Sequence, residues 1–183
     1  MKKLIISGFG GQGVLSLGLL VSYSAMNMDL NTSWLPSYGP EMRGGTANVS
    51  VAYSDGEIAC PLVSRPDVLT VFNEPSLAKF ESAAASGGYI FVNSSIVAAK
   101  VKRTDVKAVY VPVDEIAAGI NPKGGNIIML GAMLAALDPL TYDAVKRAVE
   151  KVFESKPKLV APNIACLDAG IKYFEEKVRP CLQ

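Results

Sequence analysis

The chain has 183 residues, enough for one compact domain that buries roughly 70% of its unfolded surface without a disulfide or a metal. Hydrophobic residues make up 50% of it and charged residues 19%, which excludes a disordered tail, and the net charge of +1 gives no electrostatic case for nucleic acid. The chain has no histidine, which removes a histidine base, histidine metal ligands and any Ser-His-Asp triad.

The first element is Leu4-Ile5-Ile6, a β-branched run bounded by glycine and read as a buried strand. No charge falls between Leu4 and Met28, and Lys2 and Lys3 precede this stretch, as in a signal peptide. Gly8, Gly10, Gly11 and Gly13 crowd around the polar Gln12 where the apolar centre of a signal would lie. That composition makes a loop, so the expectation is a cytoplasmic protein with no membrane segment. Val14 to Met26 then reads as a helix, apolar almost all round and therefore buried on more than one side. Asn31 to Leu35 is a second strand stopped by Pro36, and Ser37 to Gly45 is loop.

Thr46 to Tyr53 alternates polar and apolar residues. Ser54-Asp55-Gly56-Glu57 is a turn signal, so Glu57 to Cys60 is expected to return as its hairpin partner near one sheet edge. Val68 to Phe72, Tyr89 to Val92 and Val109 to Val113 read as strands, with a helix from Pro75 to Ala84 between the first two. Ile127 to Leu137 is a buried helix. Thr141 caps a helix whose Val145, Ala148, Val149, Val152 and Phe153 form one apolar stripe, and Ile164, Leu167, Ile171, Phe174 and Val178 form another. Strand–helix alternation predicts a single α/β domain over residues 1–183: a Rossmann-like, mainly parallel sheet with helices on both faces and a β-hairpin near one edge. Cys60, Cys166 and Cys181 are scattered without a CxxC pair, so neither an iron–sulfur cluster nor a structural zinc is expected on this chain.

Two segments carry functional signals. Gly8-Phe9-Gly10-Gly11-Gln12-Gly13 has the GxGxxG spacing between a strand and a helix. Such glycines either bring the helix close against the strand or let an anion approach backbone N–H groups at the helix N-terminus. Dinucleotide binding ranks below both, because it needs an acidic residue at the far end of the second strand. Asp29 lies before that strand, and Asn31, Thr32 and Ser33 carry no carboxylate. The second segment, Ser37 to Thr46, sets Tyr38, Glu41 and Arg43 among Gly39, Pro40, Gly44 and Gly45. Arg43 can fork onto a phosphate or carboxylate, or Glu41 and Arg43 are ordinary solvated charges.

The pairing of GFGGQGV with YGPEMRGGTANVSV, followed by RPDVLTVFN from Arg65 and the Asn126 to Leu137 helix, resembles the gamma subunit of the 2-oxoacid:ferredoxin oxidoreductases over nearly the whole chain. The resemblance implies a subunit of an enzyme that oxidatively decarboxylates a 2-oxoacid, forms its acyl-coenzyme A and reduces ferredoxin. It implies alpha and beta partners, with delta where the complex has one. It also implies thiamine diphosphate, magnesium and iron–sulfur clusters on those other subunits and no cofactor on this one. The chain lacks the GDG…NN pattern that would hold the magnesium of thiamine diphosphate, and no catalytic residue is carried over. Gly8, Gly10, Gly11, Gln12 and Gly13 are carried over as the candidate anion or coenzyme A loop. Tyr38, Pro40, Glu41, Arg43, Gly44 and Gly45 are carried over as the interface or ligand loop. The alternatives are a free-standing nucleotide-binding module and a purely structural scaffold subunit. No residue selects the 2-oxoacid; the short gamma-type chain points toward 2-oxoglutarate or branched-chain acids.

Overall fold

The computed structural model describes residues 1–39 and 45–181. Its six strands form one sheet in the order β2-β3-β1-β4-β5-β6: β1 is Lys2–Phe9, β2 Asn31–Tyr38, β3 Thr46–Ser54, β4 Val68–Val71, β5 Tyr89–Asn93 and β6 Lys107–Val111. β1, β4, β5 and β6 pair in parallel, while β3 is antiparallel to both β1 and β2. The helices are α1 (Val14–Met26), α2 (Glu74–Phe80), α3 (Val113–Ala118), α4 (Gly125–Met133), α5 (Tyr142–Val152) and α6 (Val160–Tyr173).

The expected α/β architecture is present, with an antiparallel hairpin at one sheet edge, but the hairpin is built from other residues. Glu57 to Cys60 forms no strand, and β3 pairs instead with β2. Both edges of β3 are already taken by β1 and β2, so a segment returning after Asp55 has no free ladder to join. Nor does Pro36 stop β2, which runs on to Tyr38 with Pro36 opposite Val49. β2 is an edge strand, where a missing N–H need not break a ladder bond. The third correction is local: β6 ends at Val111, and Val113 opens α3 after Pro112.

The sheet alternates into two cores. Leu4 and Ile6 of β1 and Val49 and Val51 of β3 face α1, α4, α5 and α6. Ile5, Leu69, Val71, Ile90 and Val92 face the other way, toward Leu77 of α2 and Val97 of the β5–β6 connection. That connection has no helix of its own. Glu74 of α2 accepts the backbone N–H groups of Ala98 and Ala99, and Glu81 accepts those of Lys102 and Arg103, so the two carboxylates fasten it over the sheet. α1 is buried on several sides, with Leu17, Leu20, Val21 and Ala25 fully inaccessible, each large side chain stabilising by about 1.5–3 kcal/mol. Thr141 caps α5 as expected, its hydroxyl accepting Ala144 N–H at 3.3 Å. Tyr53 is buried and donates to Leu137 C=O at 2.6 Å, and burial, helped by Asp138, pushes its phenol pKa up.

The closest helix contact joins α4 to α6. A Cβ at Gly131 would fall within contact distance of the Leu167 carbonyl oxygen, and one at Gly170 within that of the Ile128 carbonyl oxygen. The two helices touch backbone to backbone, which seats α4 firmly and fixes where its first turn meets the sheet.

Candidate functional site

The site lies at the carboxyl end of β1. The glycine loop follows Phe9 and delivers the chain into α1. Gly13 is the N-cap of α1 with φ 75 and ψ 19, a left-handed conformation open to glycine, and its carbonyl accepts Leu17 N–H at 2.9 Å. The first turn of α1 carries no acidic side chain, so its free N–H groups and dipole keep their positive character. Gly11 has φ 101 and open space where a Cβ would be.

Gln12 folds back on its own loop. Its carboxamide oxygen accepts Phe9 N–H at 2.7 Å, and its nitrogen donates to Phe72 C=O at 3.2 Å, across at the end of β4. Gly8 leaves room for this, since a Cβ there would lie 2.6 Å from the Gln12 oxygen and 2.9 Å from both Phe72 Cβ and Val14 Cγ2. On the other side, Asn126 of α4 donates to Gly13 C=O at 3.3 Å, and a Cβ on Gly13 would stand 2.6 Å from the Asn126 amide nitrogen. Sequence reading missed the role of Asn126. The available signal was one amide in the first turn of an otherwise apolar helix.

The two sequence motifs meet. Gly10 N–H donates to Gly45 C=O at 2.9 Å, and Gly39 N–H to Thr46 C=O at 3.3 Å, so the second motif begins and ends beside the glycine loop. Tyr38 lies at the end of β2 and is 60% exposed, free to meet a ligand or partner. Pro40, Glu41, Met42, Arg43 and Gly44 lie outside the described residues. Between the loop and the hairpin opens a cleft of about 520 Å³ walled by Phe9, Leu15, Trp34, Pro36 and Tyr38. Trp34 is held by its indole N–H, 3.4 Å from Leu15 C=O. A second crevice, about 560 Å³, lies on the far side of the loop among Gln12, Asn93, Asp114, Lys123 and Asn126. Gly11, Gly13 and Ser16 border both. An apolar aromatic wall beside an unneutralised helix N-terminus suits a ligand with a flat ring and an anionic group.

The family model described as pyruvate ferredoxin/flavodoxin oxidoreductase matches residues 3–173. The chain belongs to that family. The resemblance drawn from the two motifs therefore holds. The chain is 39% identical to the ketoisovalerate oxidoreductase subunit VorA of Methanothermobacter thermautotrophicus over 178 residues, covering 96% of this chain but 37% of that protein. It is 31% identical to the 2-oxoglutarate synthase subunit KorC of Methanocaldococcus jannaschii over 180 residues, covering 96% of this chain and 95% of the relative. The 2-oxoglutarate:ferredoxin oxidoreductase of Magnetococcus marinus, solved with 2-oxoglutarate, coenzyme A and succinyl-CoA bound, shares the fold with a TM-score of 0.84 at 20% identity. That likeness covers 95% of this chain and 31% of that one.

Among the described residues, no three His, Cys, Asp or Glu side chains come together as a metal site. Cys60 and Cys181 are exposed, and burial pushes the thiol pKa of Cys166 up. No helix among the described residues is long and apolar enough to cross a membrane, and the uncharged N-terminal stretch forms most of β1, the glycine loop and α1.

The geometry sharpens the expectation about dinucleotides. β2 runs parallel to β1 on the far side of β3, so Asp29, before β2, lies at the end of the sheet opposite the glycine loop. It cannot reach a ribose placed over that loop. Calorimetric titration with NAD and NADH should show little or no binding. A micromolar dissociation constant would move the free-standing nucleotide-binding module ahead of the reading below.

Proposed function

We propose that this chain is the gamma component of a 2-oxoacid:ferredoxin oxidoreductase, and that its glycine loop and aromatic cleft face coenzyme A. In this reading the complex decarboxylates a 2-oxoacid oxidatively, forms the acyl-coenzyme A and reduces ferredoxin. Alpha and beta chains, with delta where present, carry thiamine diphosphate, magnesium and the iron–sulfur clusters. This chain shapes the subunit interface and the coenzyme approach.

The observation that carries the proposal is the meeting of both motifs, through Gly10 and Gly45, at the mouth of a cleft that combines aromatic walls with a helix N-terminus. Coenzyme A offers that cleft an adenine ring and phosphates. The relatives support the class of reaction, and the higher identity to VorA than to KorC favours a branched-chain 2-oxoacid over 2-oxoglutarate. The test is purification of the native complex and assay of coenzyme A-dependent ferredoxin reduction with 2-ketoisovalerate, 2-oxoglutarate, pyruvate and indolepyruvate. Highest turnover with 2-ketoisovalerate is expected. A chain that purifies without partner subunits and supports none of the four reactions would overturn the proposal.

Arg43 gives a separable test within the second motif. In Arg43→Ala the lone chain should keep its stability within about 0.5 kcal/mol if the side chain serves a partner or ligand and not the folded domain. The assembled enzyme should lose about 2–5 kcal/mol of assembly or coenzyme affinity, the scale of a broken desolvated charge contact. Lost assembly marks an interface role, and intact assembly with a raised KM for coenzyme A marks a ligand role. A large fall in melting temperature of the lone chain would make Arg43 an internal structural residue.

A further inference from the structure

The signature glycines of the loop do not share one purpose. Gly8 and Gly13 are filled against from within the protein: the missing Cβ of Gly8 makes room for the Gln12 carboxamide, and that of Gly13 for the Asn126 carboxamide. Gly11, which with Gly13 borders both clefts, has nothing within 4 Å of its would-be Cβ and so faces open space. Each amide spends one polar atom on the loop backbone, the Gln12 oxygen on Phe9 N–H and the Asn126 nitrogen on Gly13 C=O. Gln12 closes a ring through Phe9 N–H and ties it to Phe72 C=O, and Asn126 adds a second donor to the Gly13 carbonyl that already accepts Leu17 N–H.

We infer that Gln12 and Asn126 are a pair of positioning residues. They clamp the glycine loop from its two ends, to β4 and to α4, and leave the Gly10–Gly11 segment as the part that meets the ligand. This rests on the proposed coenzyme reading for the identity of the ligand, though the clamp itself can be tested without it. The sequence assigns Gln12 to the ligand loop, whereas its side-chain oxygen and nitrogen are both engaged inside the protein. Asn126 lies far away in sequence, on the helix whose close seat against α6 holds it in place. A preformed loop spares the ligand the entropy of ordering it, so the clamp should show in affinity more than in global stability.

The experiment uses the full chain with three variants: Gln12→Leu, Gln12→Glu and Asn126→Ala. It has three readouts: melting temperature, amide hydrogen exchange, and calorimetric binding of adenosine 3′,5′-bisphosphate, the anionic head of coenzyme A. Gln12→Leu should speed exchange of the Phe9 amide about tenfold, the size of one lost hydrogen bond. Gln12→Glu keeps the acceptor for Phe9 N–H but sets a carboxylate oxygen against Phe72 C=O in place of a donor, so it should restore Phe9 protection in part, above that of Gln12→Leu. Asn126→Ala should weaken binding of the bisphosphate about tenfold, again one hydrogen bond's worth, with amides of β4 and β5 exchanging as in the wild type. Wild-type binding in Asn126→Ala together with wild-type Phe9 exchange in Gln12→Leu would overturn the inference. So would a uniform loss of protection across the sheet that tracks melting temperature, because the two residues would then be ordinary structural contacts. A wild-type chain that binds no bisphosphate counts against the coenzyme reading, and the Phe9 exchange pattern then decides the clamp by itself.

Discussion

Gly170→Ala is expected to destabilise the protein by about 3 kcal/mol, at the upper end of overpacking costs. For a chain of this length that is a fall of about 6–12 °C in melting temperature. The reason is the kind of atom that the new methyl meets. At Gly170 it runs into the Ile128 carbonyl oxygen and comes within 3.0 Å of the Ala132 nitrogen, and both are backbone atoms of α4. No rotamer change relieves a backbone clash, so α4 and α6 must move apart and give up the packing of Ile128, Cys166 and Leu167, all buried in the main core. Gly131→Ala should behave alike, since its methyl meets the Leu167 carbonyl oxygen from the other side. The double variant should cost less than the sum, because one separation of the helices relieves both clashes. Gly119→Ala is the control. Its φ of −85 suits alanine and no atom lies within 4 Å of the new methyl, so it should be neutral or slightly stabilising. Thermal and denaturant unfolding of the four variants is the measurement. Wild-type stability in Gly170→Ala would mean that α4 and α6 do not meet backbone to backbone.

Gly13→Val is expected to lose about 3 kcal/mol or more through two separable causes. The first is backbone strain: a β-branched residue at φ 75 costs about 1–3 kcal/mol. The second is steric, since the Asn126 carboxamide already occupies the space. Gly13→Ala in an Asn126→Ala background separates them, because it removes the carboxamide contacts at 2.6 and 2.7 Å, leaving only the Cβ of residue 126 at 3.0 Å, and keeps the strained φ. That double variant should recover part of the loss seen in Gly13→Ala alone. Bisphosphate binding should vanish in Gly13→Val even where the chain remains folded, since the N-terminus of α1 is built on this residue. Normal stability in Gly13→Val would show that the left-handed cap is not needed.

The periodic elements were legible because their signals are local. The first-strand run, the α1 helix, the Thr141 cap and the stripe of α5 each follow from the side chains within a few positions, and the structure places all of them. The hairpin was misassigned for the opposite reason. Whether Thr46–Ser54 pairs with what precedes or follows it depends on which edges of β3 are already occupied, and Ser54-Asp55-Gly56-Glu57 offered a plausible local turn with no ladder to join. Pro36 was read as a stop because its missing donor is a local fact, whereas its tolerance on an edge strand is a property of the sheet.

The two motifs between Gly8 and Val51, with RPDVLTVFN from Arg65 and the Asn126 to Leu137 helix after them, sufficed to place the chain in its family, whose model matches residues 3–173. Tertiary structure alone decided how those motifs work as a site. It brought Gly10 to Gly45, joined Tyr38 of the candidate ligand loop to Trp34 and Pro36, which carry no functional signal in the sequence, in one aromatic cleft, and seated Asn126 against Gly13 across a long stretch of chain. The glycine pattern states that side chains are absent and cannot state what fills the vacated space. At Gly8 and Gly13 amides fill it, and at Gly131 and Gly170 a facing helix does. That difference is set by which distant segments the folded core brings into contact, and short-range sequence carries no record of it.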